Sequence, residues 1–355
     1  VTILERIHEK IEATGATAVF LREGAVPLFR IEGKLIPSEI EPISKESLMG
    51  AFNGCLKESQ WENLEREGSH SFLLESGNSK FRANLSQTLE GILLVLRELP
   101  DCVPDPETLG LPVFLSEFMA LESGLLLFTG PVGSGKSTTL HSLVAELRKQ
   151  RSRHVVFLED PIEYRHEEGF GIVQQLEVGV HISSLAEGVA LSRSLGPDIL
   201  VVADLDCEET VLEVLSAAES GFLVIAAIHS GSSMQSLCKM EDMIRPELRD
   251  SFRKRLSQTL SAAFGQVLLD RAYGTGKIPA IETLMATPEI REVIGEGNFD
   301  ALGALMEKSR GVGMCTLDQA LYSLVTRKLV SPETAATFAG DRRRFEGRIA
   351  SPVGV

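Results

Sequence analysis

The sequence predicts an α/β protein of two domains: a small α+β region, then a larger domain on a parallel sheet carrying a phosphate loop, with a helical appendix at its end. Three observations predict it. Four short, nearly continuous apolar runs, Leu125 to Phe128, Val155 to Leu158, Ile199 to Ala203 and Leu223 to Ile228, have the texture of strands buried on both faces. The first leads directly into Gly130-Pro-Val-Gly-Ser-Gly-Lys-Ser137, which satisfies GxxxxGK[ST]. The stretch Glu98-Leu-Pro-Asp-Cys-Val-Pro-Asp-Pro-Glu carries three prolines, resists helix and sheet alike, and reads as a linker over 98–108.

Residues 1–97 open with a helical pattern over Ile3 to Ala13 and continue as strand-like alternations, such as Phe29-Arg-Ile-Glu-Gly and Phe81-Arg-Ala-Asn-Leu, punctuated by Gly and Pro. They predict the small α+β domain. The apolar runs fall within 109–287, separated by helical patterns. From Pro288 to residue 355 periodic stretches, including Leu317 to Leu324 and Pro332 to Phe338, predict the helical appendix. The ending, Asp341-Arg-Arg-Arg and then Ser-Pro-Val-Gly-Val, reads as a fraying tail.

Composition narrows the function classes. With 355 residues, 43% of them hydrophobic, the chain has material for more than one core. Its 35 basic residues against 50 acidic ones give a net charge of -15, so the surface repels polyanions and nucleic acid is not expected as a partner. Cys55, Cys102, Cys207, Cys238 and Cys315 lie far apart with no CxxC pair, which argues for free thiols in a reducing cytoplasm. No apolar run approaches the ~20 residues of a membrane span, and Val1 to Arg22 lacks the order of a signal peptide. A soluble chain that docks on a membrane complex is the expectation.

The phosphate loop has a physical rationale at each position. Its glycines, Gly130, Gly133 and Gly135, let backbone N–H groups turn inward around phosphate oxygens, with Pro131, Val132 and Ser134 completing the loop. Lys136 supplies a point charge to the β- and γ-phosphates, Ser137 a hydroxyl for Mg²⁺, and Thr138 the next N–H of a helix N-terminus. ATP with Mg²⁺ is the expected ligand pair.

In open parallel sheets ligands sit beyond the carboxyl ends of the strands, and the apolar runs here end in polar residues. The Val155 run delivers Glu159, Asp160 and Glu163; the Ile199 run delivers Asp204; the Leu223 run delivers His229. Asp204 is the candidate Walker B acid, holding the metal partly through water. Glu163 is placed to orient or deprotonate the attacking water, with Glu159 and Asp160 behind the metal's hydration shell. His229 is placed to donate to a phosphate oxygen and so register the γ-phosphate.

With these boxes assembled, nearly the whole chain resembles the type II/type IV secretion ATPase family, and within it the type IV pilus retraction motors of the PilT kind. The carriers are Gly130 to Leu140 for Walker A, Leu158-Glu-Asp-Pro-Ile-Glu-Tyr164 for the aspartate box, Pro197-Asp-Ile-Leu-Val-Val-Ala-Asp204 for Walker B, and Ala217-Ala-Glu-Ser-Gly-Phe-Leu-Val with His229 for the histidine box. Thr287-Pro-Glu-Ile-Arg-Glu-Val-Ile294 looks like the AIRNLIRE element of retraction motors, with Arg291 expected to be exposed, and the tetracysteine zinc insert of many assembly motors is missing. The resemblance implies a PAS-like N-terminal domain, a RecA-like ATPase domain, a homo-hexameric ring with nucleotide between the domains, and Arg82 and Arg97 directed to the phosphates. It also implies a cytoplasmic protein peripheral to the inner membrane, working on a pilus platform protein and the pilus machinery, with a paralogous motor as a further partner.

The departures from the family pattern are concentrated near the chemistry. Ala203-Asp204-Leu205-Asp206-Cys207 stands for Gly-Glu-x-Arg-Asp, shortening a carboxylate and exchanging an arginine for an acid. Ala190 and Ser194 match family arginines, Gly221-Phe222 a Gly-His pair, Glu90 an arginine, and Gly15-Ala-Thr-Ala-Val-Phe20 lacks the usual Asp and His. Fewer cations predict weaker stabilisation of the transferred phosphoryl group and slower hydrolysis. The readings are therefore a retraction motor with reduced turnover, a regulatory ATP-binding subunit of another motor's ring, and, more distantly, a secretion or DNA-uptake ATPase.

Overall fold

The structure, a computed structural model, describes residues 3–31, 33–52, 68–76, 79–99, 102–166, 169–309 and 313–345. Cys55, Pro100 and Asp101 of the expected linker, and the tail over 346–355 lie outside the described residues. The chain divides into two compact units, Val1–Val103 with Pro161–Arg165, and Pro104–Asp160 with His166–Val355.

The first unit holds an antiparallel sheet in the order β3-β2-β1-β6-β5-β4, with β1 Ala18–Arg22, β2 Leu28–Ile31, β3 Lys34–Pro37, β4 Ser69–Ser76, β5 Ser79–Thr88 and β6 Gly91–Leu99. Strand periodicity sorts its side chains. Phe81, Ala83 and Leu85 of β5 and Leu94 and Leu96 of β6 enter the core, where Leu4, Ile7 and Ile11 of the helix Ile3–Thr14 cover them at helical spacing. The same alternation puts Arg82 and Arg97 on the opposite face, and the register pairs them directly across β5 and β6.

The second unit is built on a seven-stranded sheet in the order β13-β12-β7-β11-β10-β8-β9. Its strands are β7 Gly124–Gly130, β8 Arg153–Glu159, β9 Gly171–Glu177, β10 Ile199–Val202, β11 Leu223–His229, β12 Leu260–Asp270 and β13 Lys277–Met285. Among the described residues of this sheet only β13 runs antiparallel to its neighbour. Leu126, Phe128, Val155 and Phe157 face Leu140, Leu143 and Val144 of the helix Lys136–Gln150. Leu125, Leu127, Val156 and Leu158 face the other way, onto Val189 of Leu185–Leu195, Val211 and Val214 of Glu208–Glu219, and Leu237 of Ser233–Met243. Burial on both faces explains the unbroken apolar runs, since every position must shed water.

Three expectations need correction. Glu98 and Leu99 end β6, and Pro106–Leu109 is a short helix with Pro106 in its first turn, so the expected linker is partly structured. The stretch after Asp341 does not fray at once, because Phe345 is fully buried with Leu321, Leu324 and Ala335 against Val267 and Ile278. Arg291, on the helix Pro288–Glu296, is half-buried rather than exposed. It donates to the carbonyls of Ser257 and Gln258 at the end of the helix Arg249–Thr259, where acceptors lack intrahelical donors. Among the described residues no helix is long and apolar enough to cross a membrane.

The helix Leu185–Leu195 approaches β8 through Gly188, where an added Cβ would lie 2.7 Å from Ile182 Cδ1 and 3.0 Å from Leu158 Cδ2. Gly188→Val is therefore expected to overpack this contact and lower stability by about 1–3 kcal/mol, read as a lower urea midpoint with an unchanged slope.

Candidate active site

The phosphate loop spans the gap between the end of β7 and the helix that starts at Lys136. Gly133 and Gly135 hold left-handed φ values of 80° and 82°, and a side chain at Gly130 would collide with the Gln266 carbonyl and the Ser134 hydroxyl. Gln266, buried on β12, fixes the loop from below: its Nε2 donates to Ser134 O at 2.7 Å, and its Oε1 accepts from Thr139 Oγ1 at 3.0 Å. Pro131, Val132, Gly133 and Ser137 are exposed, Ser134 is buried and Thr138 half-buried.

Lys136 is buried, and its ammonium donates to Gly130 O at 2.7 Å and Pro131 O at 3.1 Å. It also meets His229 Nδ1 at 3.0 Å. An ammonium has only donors, so that nitrogen must carry the lone pair and the His229 proton resides on Nε2. Nε2 lies 3.7 Å from Asp204 Oδ2, while Lys239 Nζ holds the His229 carbonyl at 2.8 Å. Asp204 Oδ1 is buried without a hydrogen-bond partner. Burial pushes the Asp204 carboxyl above the usual carboxylate range, the His229 ring opposes that rise, and Asp206 adds to it. Lys136, Asp204 and His229 thus converge at the ends of the adjacent strands β7, β10 and β11.

The aspartate box is distributed differently. Asp160 is exposed, but Glu159 turns into the protein, accepting from Gln175 Nε2 at 2.9 Å and His141 Nε2 at 3.0 Å. Glu163 groups with the first unit, where its Oε1 accepts from Arg82 Nη1 at 2.6 Å. Arg97 is exposed beside Arg82. Sequence reasoning overlooked Gln266, Lys239, Gln175, His141 and His166. The available signal was a polar side chain inside an apolar run, as in Ala262-Ala-Phe-Gly-Gln-Val-Leu-Leu269.

His141, Phe157 and His166 form a stack, with His141 parallel to Phe157 at 4.7 Å. Burial, then the neighbouring His141 and Arg148, bring the His166 pKa down to about 3. Above pH 6.5 the ring is neutral in both folded and unfolded chains; below it only the unfolded chain takes up the proton, until the folded ring titrates near 3. Stability is therefore expected to fall as pH drops from 6.5 toward 3, and His166→Gln to flatten that dependence, measured by urea midpoints across the range.

The family described as "Type II/IV secretion system protein" matches residues 67–304. The chain is 31% identical over 324 residues to the "Type IV pilus retractation ATPase PilT" of Pseudomonas aeruginosa, covering 90% of this chain and 93% of that protein. It is 30% identical over 338 residues to the same organism's "Type IV pilus ATPase PilU", covering 94% and 88%. A crystal structure of the pilus retraction motor PilT with bound ADP superposes with a TM-score of 0.85 at 31% identity, covering 98% of this chain and 99% of that one. The two sheets are accordingly the PAS-like N-terminal fold and the RecA-like ATPase fold, the latter followed by C-terminal helices. A family match over two-thirds of the chain, together with relatives aligned over nearly all of it, makes this protein a member of the type II/IV secretion system ATPase family, similar to the pilus motors.

Proposed function

We propose that the chain is a subunit of a hexameric motor that binds ATP with Mg²⁺ and hydrolyses it slowly to drive type IV pilus retraction and twitching motility. The observation that carries this reading is the convergence of Lys136, His229 and Asp204 beside a glycine-built loop at the start of a helix. In this reading the motor works at the cytoplasmic face of the inner membrane, against a platform protein of the pilus machinery.

The residues suit a divalent cation. Asp204 Oδ1 is a buried carboxylate oxygen that no protein donor satisfies, and Ser137 offers an exposed hydroxyl in the first helical turn. Ser137, and Asp204 partly through water, would hold Mg²⁺, whose charge when bound offsets that of the phosphoryl oxygens. The chain's own groups supply the rest. Backbone N–H groups from Val132 through Thr138 orient the phosphates, and Lys136 exchanges loop carbonyls for phosphate oxygens. With its Nδ1 engaged by Lys136, His229 keeps an Nε2 proton to donate to the γ-phosphate. Glu163 takes the proton of the attacking water, Arg82 orients that carboxylate, and Asp160 supports the hydration shell. Arg82 and Arg97, paired across β5 and β6, are assigned to phosphate on the chemistry of the guanidinium fork, which matches phosphate geometry and stays charged.

Slow turnover is supported by the Walker B region. Asp204 is shorter than the family glutamate, and burial together with Asp206 favours its protonated form. The same features favour a second reading, a regulatory subunit acting beside another pilus motor, which uses nucleotide to set its shape.

Steady-state ATP turnover of the ring, with its oligomeric state measured in parallel, separates the readings. Lys136→Ala is expected to abolish nucleotide binding, and Glu163→Ala to keep binding while lowering turnover by about 10²-fold or more. Identical background rates for the wild type and both variants would favour the regulatory reading. A wild-type rate equal to that of an ordinary retraction motor would rule out slow hydrolysis.

A further inference from the structure

The chain leaves the second unit after Asp160, runs through Pro161–Arg165 in the first, and returns at His166. Glu163, proposed above to handle the attacking water, sits on that excursion, and a carboxylate that acts on water must be held in place. Both ends of the excursion are tied to one side chain. His141, on the second turn of the helix that starts at Lys136, donates from Nε2 to Glu159 Oε1 at 3.0 Å before the excursion. Its Nδ1 meets His166 Nε2 at 2.9 Å after it.

His141 thus presents one ring nitrogen to Glu159 and the other to His166, so a single imidazole joins the two ends of the excursion. The arrangement is buried: His141 and Glu159 are 3% and 5% exposed, and His141 and His166 stack with Phe157. Gln175 closes the arrangement, donating to Glu159 Oε2 at 2.9 Å and accepting from the His166 backbone N–H at 3.3 Å.

We propose that His141 is a positioning residue, a staple that clamps the two ends of the Pro161–Arg165 excursion to the phosphate-loop helix and thereby fixes Glu163 for hydrolysis. The functional half rests on the reading of Glu163 as the water-activating group. The staple itself stands on the contacts of His141.

His141→Phe keeps the ring stack and removes both hydrogen bonds, whereas His141→Gln keeps a donor and an acceptor on one side chain. The tests are amide hydrogen exchange over Ile162 to His166 in the full-length protein, and ATP turnover resolved into kcat and KM. His141→Phe is expected to speed exchange there by ~10-fold and to lower kcat by about the same factor with KM within twofold, while His141→Gln recovers both. Unchanged exchange in His141→Phe would overturn the staple whatever the rates do, and so would a kcat loss that His141→Gln fails to recover. Glu163→Gln, measured alongside, separates the two layers: if it turns over at the wild-type rate while His141→Phe still loosens the segment, the staple holds and the role given to Glu163 falls.

Discussion

A parallel sheet covered on both faces leaves charge very few places to go. In the second unit the strands β7, β8, β10 and β11 are apolar almost from end to end, because alternate residues point into two different cores. Ionised groups within that body would have to shed water without compensation, a cost of several kcal/mol each. They are driven to the ends of the strands, and the chemistry of the protein follows from that exclusion. Lys136, Asp204 and His229 meet where β7, β10 and β11 stop being able to exclude water. The glycines of the loop are the local solution to the same problem, letting backbone donors supply positive potential where side chains would not fit.

How much of this was legible in the sequence follows the same division. Runs such as Leu125 to Phe128 and Leu223 to Ile228 announce β7 and β11 because both faces demand apolar residues. The strands β9, β12 and β13 are harder to see. β9 lies at the edge of the sheet and carries Gln174 and Gln175, while β12 and β13 bury Gln266 and Glu282 as partners for other elements. A buried polar side chain makes sense only with its partner, and the partners are far away in sequence: Gln266 serves Ser134, and Glu282 accepts from the backbone and hydroxyl of Ser233. Spacing cannot supply such pairings. For the same reason Glu159 looked like a free carboxylate at a strand end, yet it turns inward to His141 and Gln175. Arg291 looked like a surface arginine, yet it serves the open end of a neighbouring helix.

Two acidic positions where the sequence was expected to carry arginine act on their neighbours. Glu90 pairs with Arg22 on β1. Asp206 helps to raise the pKa of Asp204, while Lys239 and Lys136 pull in the opposite direction. The result is a carboxylate whose charge depends on several competing neighbours, unlike one fixed by a single partner.

The bracket under the phosphate loop also bears on how the protein is made. Gln266 and the Ser134 carbonyl it holds are 132 positions apart, the first on β12 and the second in the loop after β7, the strand beside β12 in the finished sheet. A ribosome must therefore deliver most of the polypeptide before the loop gains its support, and the earlier motif emerges as slack chain. Competence to grip a ligand arrives late in synthesis, when β12 docks, so an unfinished chain is poorly equipped to capture nucleotide.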